Sequence, residues 1–235
     1  MRTKLKDILI RRAETAADLE QLYRFRYAVY VEEMHRPQHY ADHGRKRIEE
    51  PLDATAANFI ALKDDKIVGC VRWNGGQDTD FGEYVELYDM HRAGPYFPER
   101  CGITTKLMVA AAYRRSALPV LLCRAGYAHA RQQGLLADFM DCNPHLEALF
   151  AAFGYRTYRS HVCHPEYGEV LPMLMLCVDH AHLKRMRSPF ADIEDAHPRQ
   201  PDVVRWFHEN VFSATQSGPA SVPSPSENQT HHLAS

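Results

Sequence analysis

Two apolar runs, ITTKLMV at 103–109 and LLADFMDC at 135–142, flank a segment with helical spacing. Pro119 opens that segment, VLLCRAGYAHARQQ continues it, and Gly134 stands where a left-handed residue stops a helix. A strand that returns to its own sheet through a helix lies parallel to its predecessor. The chain is therefore organised around a parallel crossover unit, and a composition of 45% hydrophobic and 25% charged residues over 235 positions supplies one buried core. A repeat array, a coiled coil and a disordered chain are excluded.

The remaining patterns add antiparallel strands and flanking helices. Thr15 is placed to cap a helix with Asp18 three residues on, and Leu19, Leu22, Tyr23, Arg26, Tyr27 and Tyr30 recur at spacings of three and four. Arg26 falls on the apolar stripe itself, so it either snorkels, meets a carboxylate or holds an anionic group. NFIALK and KIVGCVRW, joined by Asp64 and Asp65, read as a hairpin, with Arg72 near its end and NGGQDTDFG as a following loop. Asn143 is placed to cap a helix that has Pro144 at its first position and ends at Gly154. YRTYRSHV and VLPMLMLCV read as an antiparallel pair, and Asp179 as the cap of a short HAHLKRM helix. The Met residues of PMLMLC alternate as a buried strand does; they serve core packing or line an acyl tunnel. The expected division is a domain over residues 10–188, an appended helical segment over 189–213 built on DVVRWFHENVF, and a Ser/Pro-rich disordered tail over 214–235.

Charge and cysteine content narrow the function. A net charge of −2 with interspersed acids and bases gives no one-signed surface for nucleic acid. No stretch approaches the roughly 18–20 apolar residues of a membrane span, and the start MRTKLKDILIRR lacks an apolar signal core, so a cytoplasmic location is expected. Six separated cysteines without a CxxC pair fit reduced, packed thiols. His35, His39 and His43, and then His161, Cys163 and His164, raise the question of zinc, but neither set has the ligand spacing of a known zinc module, and no metal is expected.

The order helix, hairpin, strand, helix, strand, helix, strand pair resembles the GNAT acyltransferase fold: α/β (α+β), a mixed, mostly antiparallel sheet with a central parallel strand pair and flanking helices. NPHLEALFAAFGY resembles the GNAT segment with Asn at the helix start and an aromatic-Gly-aromatic turn. TTKLMVAAAYRRSALPVLL resembles the strand and pyrophosphate loop. Within the superfamily, YRFRYAVYVEE, LDATAANFIAL and IVGCVRW resemble the branch of N-acyl amino acid synthases and acyl-homoserine-lactone synthases.

The resemblance implies a fatty acyl transfer from a phosphopantetheine thioester, on acyl carrier protein or coenzyme A, to the amine of an amino acid or similar small molecule, with no permanently bound cofactor. It implies Arg26, Tyr30, Asp53 and Arg72 as substrate-binding residues, or else as a buried Arg-Asp-Arg network, and Arg72→Ala is then expected to lose turnover with the fold retained. It implies Thr105, Met108, Val109, Arg114, Arg115 and Asn143 around the acyl donor. The family loop, Arg-x-x-Gly-x-Gly/Ala, has Ala117 and Pro119 at its glycine positions here. Proline donates no N–H, which favours the single phosphate of an acyl carrier protein as donor. Arg114, Arg115, Arg124 and Arg131 then offer a basic face to that acidic partner, or are simply solvated. The synthases' glutamate at the start of the central strand is Ile103 here, so Glu86 and, second, Asp141 are the candidate general bases, with Glu83 close by. The GNAT general-acid tyrosine position holds Phe150, for which His145 or Cys142 are substitutes. The alternatives are a short-chain acyl-CoA or acetyl-CoA N-acetyltransferase and a non-catalytic acyl-binding or regulatory protein.

Overall fold

A computed structural model describes residue 5, residues 7–193 and residues 197–213; the expected tail over 214–235 lies outside them. Strand β1 (Leu9–Arg12) leads into helix α1 (Ala16–Tyr27), which continues through a wide π turn over Ala28–Glu33. Thr15 caps α1 in a complete box: its hydroxyl accepts from the Asp18 N–H while the Asp18 carboxylate accepts back from the Thr15 N–H. Thr15→Ala should therefore cost about 0.5–2 kcal/mol of stability, read by chemical denaturation.

A small hairpin, β2 (Ala41–Asp42) and β3 (Arg47–Ile48), and a 3₁₀ turn over Pro51–Thr55 precede β4 (Ala57–Lys63) and β5 (Lys66–Gly75). Asp64 and Asp65 both take positive φ, 50° and 60°, the backbone that a two-residue hairpin turn of this hand requires. Strand β5 runs through Asn74 and Gly75, which the sequence assigns to a loop, because they pair with Ile103 and Gly102 of the neighbouring strand; the buried Asn74 amide is further tied to the Leu52 carbonyl at 2.8 Å. A short helix α2 (Tyr84–Leu87) and further 3₁₀ turns lead to β6 (Cys101–Val109). Helix α3 (Leu118–Gln132) crosses over to β7 (Ala137–Cys142).

After Asn143 the chain departs from the expected single helix. Its first turn is 3₁₀, the Asn143 side chain makes no cap bond, and α4 proper is Glu147–Phe153, closed by Gly154 at φ 111°. Likewise YRTYRSHV gives two short strands, β8 (Arg156–Thr157) and β9 (Val162–His164), each pairing with β10 (Gly168–Leu176). Helix α5 (His180–Arg185) is capped by the Asp179 side chain, and α6 (Pro201–Phe207) follows.

The sheet order is β1-β4-β5-β6-β7-β10-β8, with β9 beside β10. Only β6 and β7 are parallel. Apolar residues of α3 and α4 cover one face (Leu118, Leu122, Phe150, Phe153), while α1 and α6 pack on the other. Met173 and Met175 are core residues of the α3 face and do not line the large cavity described below.

Two irregularities open that sheet at its centre. The parallel pairing of β6 and β7 lasts three residues, Cys101–Ala137, Gly102–Asp138 and Ile103–Phe139, after which the strands part. In β6 the register against β5 slips between Cys70–Met108 and Arg72–Thr105, and Lys106 takes a φ of 54°. This is a β-bulge, which re-aims the side chains and backbone of β6 beside the opening.

Candidate functional site

The gap between β6 and β7 leads into a cavity of about 490 Å³. Of the donor and acceptor residues expected from the sequence, Tyr30, Thr105, Met108, Val109, Arg114, Asp141 and Asn143 line it. Strand alternation divides its wall. Met140, Cys142 and Phe150 belong to the α3/α4 side, which is apolar; the side of α1 and α2 carries Tyr30, Tyr84, Tyr88, Lys106, Asp141, His164 and Tyr167.

Asp141 is the carboxylate of this wall. It lies on the last turn of β7 pairing, opposite Pro172, and its Oδ2 is buried without a hydrogen-bond partner among the described residues. Burial pushes its pKa up to about 6, against the downward pull of the neighbouring Tyr88 hydroxyl and the Lys106 charge. A second carboxylate, Asp138, is buried at the point where the strands part. Its Oδ2 accepts from Thr104 at 2.7 Å and from the Tyr155 hydroxyl, both of which line the cavity, and its Oδ1 has no partner among the described residues. Burial raises it to about 6 as well, opposed by those two hydroxyls.

A group whose folded pKa is raised stabilises fully below its unfolded value near 4 and loses that contribution as pH rises through about 6. Asp138→Asn removes this loss while keeping an acceptor for both hydroxyls. Its stability relative to the wild type should therefore be higher at pH 8 than at pH 5 in paired melting experiments; a difference independent of pH would contradict the assignment.

Behind the cavity wall lies a closed charge network. The Arg26 guanidinium bonds Asp53 and Asn58, each at 2.7 Å. Arg72 bonds Glu50 at 2.7 Å and Thr105 at 2.9 Å, and lies 3.5 Å from Asp53. Lys106 completes it, 2.5 Å from Glu50 and 2.7 Å from the Tyr167 hydroxyl, with its ammonium over the rings of Tyr30 and Tyr167. Burial works against the charge on Glu50 and Asp53, but Lys106 and Arg72 hold the first, and Arg26 and Arg72 the second, below the ordinary carboxylate range. Arg26 and Arg72 are fully buried and, with Asp53, are not part of the cavity wall. Of the two sequence readings of this trio, the geometry is that of the buried Arg-Asp-Arg network; it reaches the cavity only through Thr105, Lys106 and Tyr30.

Several expected residues lie elsewhere. Glu86 is on the exposed face of α2, opposite Tyr84 and Tyr88, and borders a shallow surface depression with Glu83 and Arg159. Helical geometry is the reason, since Tyr84 and Tyr88, four apart, take the inward face and Glu86 midway between them turns out. Arg115 is exposed and outside the cavity lining. The proposed basic face is also not free: Arg124 is bound to Asp192 at 2.6 Å and to the Pro189 carbonyl, and Arg131 is buried against the Leu135 carbonyl. Among the described residues no group of three His, Cys, Asp or Glu side chains is arranged to hold a metal ion. His43 instead contacts the Tyr27 hydroxyl at 2.9 Å and His161 contacts Glu169 at 2.9 Å.

Glu50, Lys106, Asp138, Tyr155, His164 and Tyr167 were not among the expected site residues. Lys106 carries a sequence signal only in retrospect, as a charge inside an apolar strand; the bulge that turns it inward leaves no mark in the pattern.

Comparison with known proteins agrees with this architecture. Residues 25–124 match the family described as an acetyltransferase (GNAT) domain. No curated protein sequence matches the chain. Among solved structures, FeeM, an N-acyl amino acid synthase from uncultured soil microbes, superimposes with a TM-score of 0.61 at 9% identity, covering 80% of this chain and 98% of FeeM. BjaI, a CoA-dependent acyl-homoserine lactone synthase solved with MTA, gives 0.56 at 19% identity over 80% of this chain and 90% of its own. The AHL synthase LasI gives 0.56 at 13% identity, over 72% and 89%.

Proposed function

We propose that this chain, whose residues 25–124 match an acetyltransferase (GNAT) domain, is an acyltransferase that moves a fatty acyl group from a phosphopantetheine thioester to the amine of an amino acid or similar small molecule. The observation that carries the reading is Asp141: a half-buried residue on the wall of the cavity that opens between the two parallel strands, whose buried Oδ2 has no hydrogen-bond partner among the described residues. A general base needs access, a proton acceptor and a pKa near the working pH; Asp141 has all three. FeeM, named as an N-acyl amino acid synthase, and BjaI, named as a CoA-dependent acyl-homoserine lactone synthase, add support from the same fold.

In the reaction so read, the thioester enters between β6 and β7 and the amine approaches from the α1/α2 side. Asp141 takes the amine proton as nitrogen attacks the carbonyl carbon. The C–N bond forms, the C–S bond breaks, and the proton that Asp141 took from the amine passes to the sulfur, which leaves as a thiol and returns Asp141 to its carboxylate form. Backbone N–H groups of the bulged segment around Met108 polarise the carbonyl. No covalent enzyme intermediate and no bound cofactor is needed. Residues 10–188 form the catalytic unit in this reading, and the segment over 189–213 buttresses it.

We take acyl carrier protein as the donor. Pro119 has no N–H, and the Leu118 N–H is already held by the Ser116 hydroxyl at 3.1 Å. The turn ahead of α3 thus has few donors left for a pyrophosphate, whereas one phosphate near Arg114 asks for fewer. Offering carrier-protein and coenzyme A thioesters of equal chain length in competition tests this, and preferential turnover of the coenzyme A thioester reverses the assignment. Because Asp141 must be ionised to act, kcat/KM, corrected for the fraction of acceptor present as free amine, should rise through about pH 6 and level off above it. A rate that falls over this interval would remove Asp141 from the base role.

A further inference from the structure

On the reading that an amine is acylated in this cavity, one group of the α1/α2 side remains without a task. His164, at the end of β9, is 4% exposed and lines the cavity. Its Nδ1 faces the backbone N–H of Glu166 at 3.0 Å. A backbone amide donates and cannot accept, so Nδ1 carries the lone pair, and the neutral ring bears its proton on Nε2. The ring is held in place by Tyr167, with centroids 4.3 Å apart, and by Tyr84 at 6.4 Å. Burial and the Lys106 charge disfavour the protonated ring, while Glu166 and Glu50 favour it; the balance lies below the ordinary histidine value. His164 is thus an oriented donor and cannot serve as the base.

Lys106 belongs to the same corner. Two of its three N–H bonds go to Glu50 and Tyr167, and its charge acts on both His164 and Asp141. The network behind it holds three cations, Arg26, Arg72 and Lys106, against two carboxylates, Glu50 and Asp53. A net positive charge therefore backs this part of the wall. Arg36, whose guanidinium lies over the Tyr167 ring, adds a further cation to the lining.

We propose that His164 Nε2–H and the Lys106 ammonium form an anion-binding corner that holds a carboxylate of the acceptor and so turns its amine toward Asp141. This replaces Arg26 and Arg72 as the carboxylate holders, since both are closed off behind the wall. His164 is a specificity residue in this assignment: it selects amino carboxylates over amines that lack the anion.

The test compares a mixture of the common α-amino acids with the matching α-amino amides, decanoyl-CoA and a decanoyl carrier protein both being present. The wild type should favour the acids. A lost hydrogen bond to a charged group is worth roughly 10- to 100-fold, so His164→Leu should raise KM for the acids by about that factor, with kcat changed far less and the preference over amides collapsed. His164→Gln, which offers an N–H near the Nε2 position, should recover most of the preference. The rise in rate near pH 6 should persist in both variants, since it belongs to Asp141. Equal acylation of acids and amides by the wild type, or an undiminished preference in soluble, folded His164→Leu, overturns the corner alone. Acylation of neither class overturns the acyl-transfer reading and the corner with it.

Discussion

Asp141→Asn is expected to slow acyl transfer by about 10²- to 10⁴-fold, the range a positioned general base supplies, without loss of the fold. The amide keeps the carboxylate's shape and removes a charge that burial disfavours, so the melting temperature should hold or rise above pH 6. The loss should fall on kcat, and the rise in rate near pH 6 should vanish from the residual activity. Glu86→Gln is the matched control, because Glu86 is exposed on α2 and borders a different depression. If Glu86→Gln lost the activity and Asp141→Asn kept it, the assignment of the base would be reversed.

Arg72→Ala should destabilise the chain by about 3–5 kcal/mol, the cost of breaking a buried ion pair by removing one partner. Arg72 is fully buried, and its loss would strip Glu50 of a 2.7 Å bond, leave Thr105 without its 2.9 Å donor and weaken the compensation of Asp53. For a chain of this length the melting temperature should drop by roughly 6–20 °C. The sequence alone suggested the opposite division, turnover lost and fold kept. Because the network supports Lys106 through Glu50, any activity of the surviving folded fraction should show a raised KM for the acceptor. An unchanged melting temperature would mean that the network is not the brace described here.

The contrast between these two residues shows what a sequence carries. Periodicity and turn chemistry are local, and so the Thr15 box, the Asp64–Asp65 hairpin, the α3 crossover and the Gly154 stop were all legible. Arg26 on an apolar stripe announced a buried partner, and the partner is Asp53. Whether such a group faces a cavity or lies behind its wall depends on long-range packing, which spacing does not encode. Glu86 shows the same limit: a helix of one turn, absent from the pattern reading, decides that the tyrosines of YVELY point in and the glutamate out. Lys106 depends on a one-residue bulge, and His164 on which of its ring nitrogens meets a backbone amide. Both are settled only when distant segments assemble.

In the proposed reaction the cavity between β6 and β7 joins an acyl group to an amine through Asp141. The decisive measurement is mass analysis of small-molecule extracts from cells producing this chain, beside cells producing equal soluble amounts of Asp141→Asn. N-acyl amines that accumulate with the wild type and are depleted with the variant are the predicted result, and their masses identify acyl chain and acceptor together. Equal accumulation in both would contradict the role of Asp141, and no acylated amine in either would contradict the transfer itself.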